Sequence, residues 1–298
     1  MSNNIVLKRF TYDWLIRFAE LHPFQLYDYH DDEAGPIPQG AYNPLDSKYA
    51  KISPLFTTLI NRYMPYIYQT RELFVEEGII QEDKLPSNNK TKVYACECLE
   101  LGDIVPGSIS SLQAKRVTFF YSGQLSFYHS HSIQCIYTAD ELKYLLKSCP
   151  FGKVFFGIGI FDKPTMFSEI WPLLKKFTKI CLDIENLNYG ENVATVLREN
   201  QVFPDMLILQ KLNVSDKAVL DIIDYNLSLP ESIKEFRLRF LEPKPLPFYD
   251  TIVAKFASAG YQIGQCSKPE TKFTGMEMMV RDNTIDFQSS SEGIYHIM

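Results

Sequence analysis

The chain has 298 residues, 46% apolar, 14% aromatic and 22% charged, enough apolar material for a sizeable core and unlike a disordered polymer. A net charge of −6 offers no attractive field to a phosphate backbone, so nucleic-acid binding would need a local basic patch. Scattered cysteines and a start, MSNNIVLKRF, without the apolar segment of a secretory signal point to reduced thiols in the cytoplasm or nucleus; the longest apolar run, Val154 to Phe161, is far short of the ~20 residues of a membrane span.

FTYDWLIRFAEL carries Phe10, Trp14, Leu15, Phe18 and Leu21 at helical spacing, and His22-Pro23 ends it, because a residue before proline leaves the helical region. Next, Asp28, Asp31, Asp32 and Glu33 stand among prolines and glycines, which predicts an exposed acidic loop without the ligand spacing of a calcium hand. From Pro54 to Gly78, apolar residues at Leu55, Leu59, Met64, Ile67, Leu73 and Phe74 predict a helix, kinked or divided at Pro65. The polar segment Asp83 to Lys92 marks the expected boundary between a helical unit, residues 1–92, and a second domain, residues 93–298.

Strand-like runs then start at Val117, Val154, Ile180, Met206, Phe236 and Gln262, separated by 37, 26, 26, 30 and 26 residues, with a helix-like segment between each pair. Thr138 with Glu141 has capping-box spacing, Ser215 opens another helix and Gly260 closes the last. Such alternation builds parallel strands joined by right-handed crossovers. The near-constant period selects an α/β, leucine-rich-repeat-like solenoid behind the small helical unit. A compact α/β domain with evenly spaced strands is the alternative.

Alternation inside the strands predicts which way they face. ICLDI directs Ile180, Leu182 and Ile184 one way and Cys181 and Asp183 the other; FRLRF divides Phe236, Leu238 and Phe240 from Arg237 and Arg239. Helices pack one face, leaving Arg237, Arg239, Asp183 and Cys181 as the partner-binding residues of an open one.

Catalytic and metal chemistry find thin support. Cys96-x-Cys98 with His129, His131 and Cys135 has zinc-type ligands, but two cysteines one residue apart on a strand point the same way about 7 Å apart, a poor chelating pair. Cys135 with a histidine base is a second arrangement, supported only by proximity. Gly157-x-Gly159 lies inside a strand and lacks the third glycine of a dinucleotide site, so it marks close packing or a bulge. The expectation is a non-enzymatic protein with no cofactor and no metal. An RNA-associated scaffold and a metal- or thiol-dependent enzyme are the alternatives.

The run LLKKFTKICLDIENLNYGENVATVLRENQVFPDMLILQKLNVSDKAVLDIIDYN resembles the C-terminal halves of the large nematode families of F-box-associated proteins. The likeness spans roughly Val117 to Met279 and rests on repeat style. It implies a degenerate leucine-rich-repeat array that captures a protein target, and an N-terminal helical unit that docks on the Skp1-type adaptor of a cullin ubiquitin ligase. An F-box usually opens with a Leu-Pro pair; here Leu85-Pro86 follows the helices, which could equally cap the array.

Overall fold

The computed structural model describes residues 12–21, 40–81, 90–128, 135–149, 152–199, 204–229, 233, 235–241, 244–266, 276–281 and 284–289. The predicted acidic loop around Asp28 and the histidines His129 and His131 lie outside them. The chain begins with α1 (Tyr12–Leu21), β1 (Gly40–Ala41), a 3-10 turn at Pro44–Asp46 and α2 (Pro54–Tyr63). Ser53 caps α2, its hydroxyl accepting from the Phe56 N–H, and Pro54 fills the first turn. The helix predicted to reach Gly78 stops earlier. Pro65 excludes helical backbone at Met64 (φ −58°, ψ 133°), and the aromatic and β-branched stretch that follows forms β2 (Tyr66–Glu76).

There follow β3 (Ile79–Ile80), β4 (Lys92–Gly102), α3 (Ser108–Ala114), β5 (Val117–Tyr128), β6 (Ile136–Tyr137), α4 (Ala139–Lys147), β7 (Gly152–Met166) and α5 (Phe167–Leu174). Then come β8 (Phe177–Asn188), α6 (Val193–Glu199), β9 (Met206–Leu212), α7 (Asp216–Leu227), β10 (Glu235–Phe240), α8 (Leu246–Ser258), β11 (Gln262–Cys266), β12 (Met276–Arg281) and β13 (Thr284–Ser289). From Val117 to Phe240 strands and helices stand where the spacing places them. Two parallel strands outside the predicted repeats, β2 and β4, precede them. No helix among the described residues is long and apolar enough to cross a membrane.

The sheet order is β1-β2-β4-β5-β7-β8-β9-β10-β12-β13-β11, with β3 beside β2 and β6 beside β7. The stretch from β2 to β10 is parallel and in chain order. The molecule is thus a mixed α/β fold on one large, mostly parallel sheet that does not close. Because β2 pairs with β4 from Tyr66↔Lys92 to Glu76↔Gly102, ladder bonds cross the boundary expected near residue 92. The predicted last repeat strand is also displaced: β12, antiparallel, lies next to β10, and β13 separates it from β11. Only two residues separate β12 from β13 in sequence, enough for an antiparallel hairpin and too few for a parallel crossover.

Register aligns one apolar row across the sheet. Leu73, Leu99, Leu125, Phe155, Ile180, Leu207 and Phe236 are successive partners, each at most 3% exposed. They join Leu112, Leu145, Ile170, Val193, Ile222 and Ile252 of the covering helices in one continuous core. Each such side chain stabilises by about 1.5–3 kcal/mol. A second, smaller core lies on the other face: Leu15 and Ala19 of α1 and Leu59 and Ile60 of α2 pack with Ile67 and Ala95, near the amino ends of β2 and β4. The N-terminal helices therefore share the face the later helices leave open.

Neighbouring helices are tied through their ends. Short α3 begins after Gly107, which has φ 93° and no side chain to cap it. Its cap comes from the next helix: Glu141 Oε1 accepts from the N–H groups of Gly107, Ile109 and Ser110 at 3.0–3.2 Å. Its Oε2 accepts from the Thr138 N–H and hydroxyl, closing the predicted capping box of α4. The carboxylate is 2% exposed and satisfied on both sides. Glu141→Leu strands those donors, so urea unfolding should show a loss of about 3 kcal/mol; Lys143→Leu, which removes an exposed pair to Glu169, should cost under about 1 kcal/mol.

Candidate functional site: the open face of the sheet

Between the buried rows run rows facing the other way. Phe74, Glu100, Ser126, Phe156, Cys181, Ile208 and Arg237 are successive partners, as are Glu72, Cys98, Gln124, Val154, Lys179, Met206 and Glu235. Most are half-buried, held between neighbouring side chains. At the β2–β4 end the face is acidic, through β7 it is apolar with Val154, Phe156 and Ile158, and over β8 to β10 charges of both signs interleave.

The four residues predicted to bind a partner are brought together across β8 to β10, and each is engaged within the chain. Asp183 meets Lys211 Nζ at 3.0 Å, and the same ammonium lies 3.3 Å from Glu185 Oε1. Arg237 pairs with Glu235. Arg239 Nη1 donates to Gln210 Oε1 at 3.3 Å, while the Gln210 amide approaches the Cys181 sulfur at 4.0 Å. Cys181 is 7% exposed, so it serves as floor more than as contact.

The face is interrupted at its acidic end by a phase change. Tyr94 and Cys96 are buried with the helices, yet so is Leu99, three residues on, because the β4–β5 register shifts between Cys96 and Cys98. Cys96 and Cys98 therefore point to opposite faces, and the same-face arrangement expected of this pair is corrected. Among the described residues no group of three or more His, Cys, Asp or Glu is placed to hold a metal ion.

Thiol chemistry is discouraged as well. Burial drives the Cys96 thiol well above its ordinary value. Cys98 is pushed up to about 11, first by burial and then by the carboxylates of Glu97, Glu72 and Glu100, with Arg71 opposing. Cys135 is also raised by burial, against the backbone donors of Ile104 and Asp103, and its thiol donates to the Tyr128 carbonyl at 3.0 Å. A thiolate nucleophile is scarce at neutral pH at these positions.

A cleft of about 490 Å³ opens at the carboxyl ends of β8 and β9, lined by Pro164, Glu185, Asn186, Asn188, Lys211, Asn213 and Leu241 among others. That is the end of a parallel sheet where ligands usually bind. Asn186 and Lys211 adopt left-handed backbone there, φ 61° and 57°, and the Asn186 amide donates to the Phe161 carbonyl of β7 at 3.0 Å. Gly159 has φ 136°, and a Cβ on it would meet the Cys135 carbonyl oxygen at 2.5 Å, which explains the glycine read as close packing. Sequence reading missed Phe156 and Ile158, because VFFGIGI is apolar on both faces. It missed the grouping of Glu72, Glu97 and Glu100, because only register unites them.

Comparison with family models, with curated proteins and with solved structures found no match.

Two measurements check this electrostatic picture. Iodoacetamide at pH 8 should modify Cys98 more than about tenfold more slowly than free cysteine, and Glu72→Lys should accelerate it. Glu100 is raised by desolvation and then by Glu72, so its charged form weakens the fold above its folded pKa, and the cost fades as pH falls toward the unfolded value. Glu100→Gln should therefore raise the thermal midpoint at pH 7, with the gain shrinking toward pH 4.

Proposed function

We propose that the chain is a non-enzymatic protein-binding module, a leucine-rich-repeat-like solenoid whose open sheet face captures a protein target. In this reading it is the target-recognition subunit of a cullin-type ubiquitin ligase of the cytoplasm, takes no cofactor, and meets a Skp1-type adaptor through its N-terminal helices. The observation that carries it is the run of parallel strands in chain order from β2 to β10, with buried and open rows aligned residue for residue. Stacked units that bury one side offer the other as a long recognition surface. The adaptor contact draws support from exposed apolar side chains on the N-terminal unit: Tyr12, Trp14, Leu45 and Ile52, between 44% and 57% exposed. The acidic β2–β4 end weighs against RNA.

Affinity purification of the tagged full chain, read by mass spectrometry, tests both halves. Arg237→Ala with Arg239→Ala should weaken an identified target by about tenfold, the worth of two partly desolvated charges. Trp14→Ala should release adaptor and cullin and keep the target. The same proteins retained at the same levels by every variant would sink the reading.

A further inference from the structure

The open face is electrically lopsided, and its lopsidedness specifies what should lie on it. Glu72, Glu97 and Glu100 act together on Cys98, and the cation among them, Arg71, sits 3.6 Å from Glu97 and is itself 68% exposed. Two strands along, Phe156 and Ile158 of β7 begin an apolar stretch that Ile208 of β9 continues, with the neutral Gln124 and Ser126 of β5 between. On β8 to β10 the cations Lys179, Lys211, Arg237 and Arg239 stand against Asp183, Glu185 and Glu235, four against three and close to balance. The net field of the face therefore comes from its acidic end.

Resting on the open-face reading above, we infer that the face holds an extended segment of a partner protein in which two lysines or arginines are followed, three to six residues later, by bulky apolar side chains. The cations lie over Glu72, Glu97 and Glu100, and the apolar groups over Phe156, Ile158 and Ile208. The spacing follows from the sheet. From β4 to β7 there are two strand intervals and to β9 four, about 10–19 Å at ~4.8 Å each, which an extended chain covers in roughly three to six residues at ~3.3 Å. Charge complementarity sets the position and direction of the segment, while burial of its apolar groups holds it. A cationic partner also offsets the repulsion from Glu72 that adds to the effect of burial at Glu100.

Fluorescence anisotropy with the full chain and a labelled peptide of about nine residues, Lys-Lys-Ser-Gly-Leu-Phe-Ser-Ile-Gly, tests this; the reversed peptide covers the other chain direction. One direction should bind, more weakly as salt rises from about 0.05 to 0.5 M. Exchanging both lysines for glutamates, or the three apolar residues for serines, should each weaken binding by about tenfold or more. Glu72→Lys with Glu100→Lys should reverse the preference toward the glutamate peptide; Glu72 is exposed and Glu100 half-buried, and the salt series on the unaltered chain needs no variant. Binding that is lost in Phe156→Asp yet indifferent to lysines, salt and charge reversal overturns the cationic requirement and leaves the open-face reading standing. Binding that survives Phe156→Asp places the peptide elsewhere and counts against both. No binding in either direction overturns this inference alone.

Discussion

Parallel strands are held less by their slanted ladder bonds than by what lies on them, and an all-parallel stretch needs at least one face kept dry. Here that requirement is met by in-register buried rows, such as Leu73 through Phe236, under the helices that follow the strands from β4 onward. Since side chains alternate along a strand, aligning the buried row aligns every other row. The open face is thus a by-product of the core. Its residues are ranked side by side because the leucines behind them are.

The helices repeat the lesson at their ends. A helix cannot satisfy its own first N–H groups; Ser53, Thr138 and Ser215 cap α2, α4 and α7 locally, while α3 has no side-chain cap of its own. Polar side chains of neighbouring units add to these: Glu141 reaches back to cap α3, and Glu191 accepts from the N–H of Ser215, itself the cap of α7. Lys176 serves the opposite end of α4, donating to the Leu146 and Cys149 carbonyls, while Lys244 donates to the Val214 carbonyl in the loop before α7. The N-terminal helices stand apart, with a core of their own on Ile67 and Ala95. They shorten the open face from its acidic end and leave its apolar middle uncovered.

How much of this was readable depended on whether one strand carried its own evidence. In β8 and β10, apolar and polar residues alternate, so ICLDI and FRLRF disclosed their buried sides correctly. In β7 both faces are apolar, and no pattern separates Phe155 from Phe156. β2 was hidden because Ile67, Leu73 and Phe74 also fit a helical stripe continued from α2, and only the backbone limit imposed by Pro65 breaks it. The reversal between Cys96 and Cys98 arises from pairing with β5, a relation between distant segments that spacing within KVYACECLELG does not encode. The position of β12 beside β10 is likewise long-range.

The carboxylate of Glu141 also gives the fold a temporal direction. A helix capped from its own loop is complete once it leaves the ribosome; α3 is not, because its first N–H groups wait for a residue more than thirty positions further on. Synthesis therefore finishes α3 one unit late, when Thr138 and Glu141 have followed it. Chains cut before residue 141 would end on a helix that has been made but not yet secured, the kind of frayed terminus that proteases and chaperones recognise first.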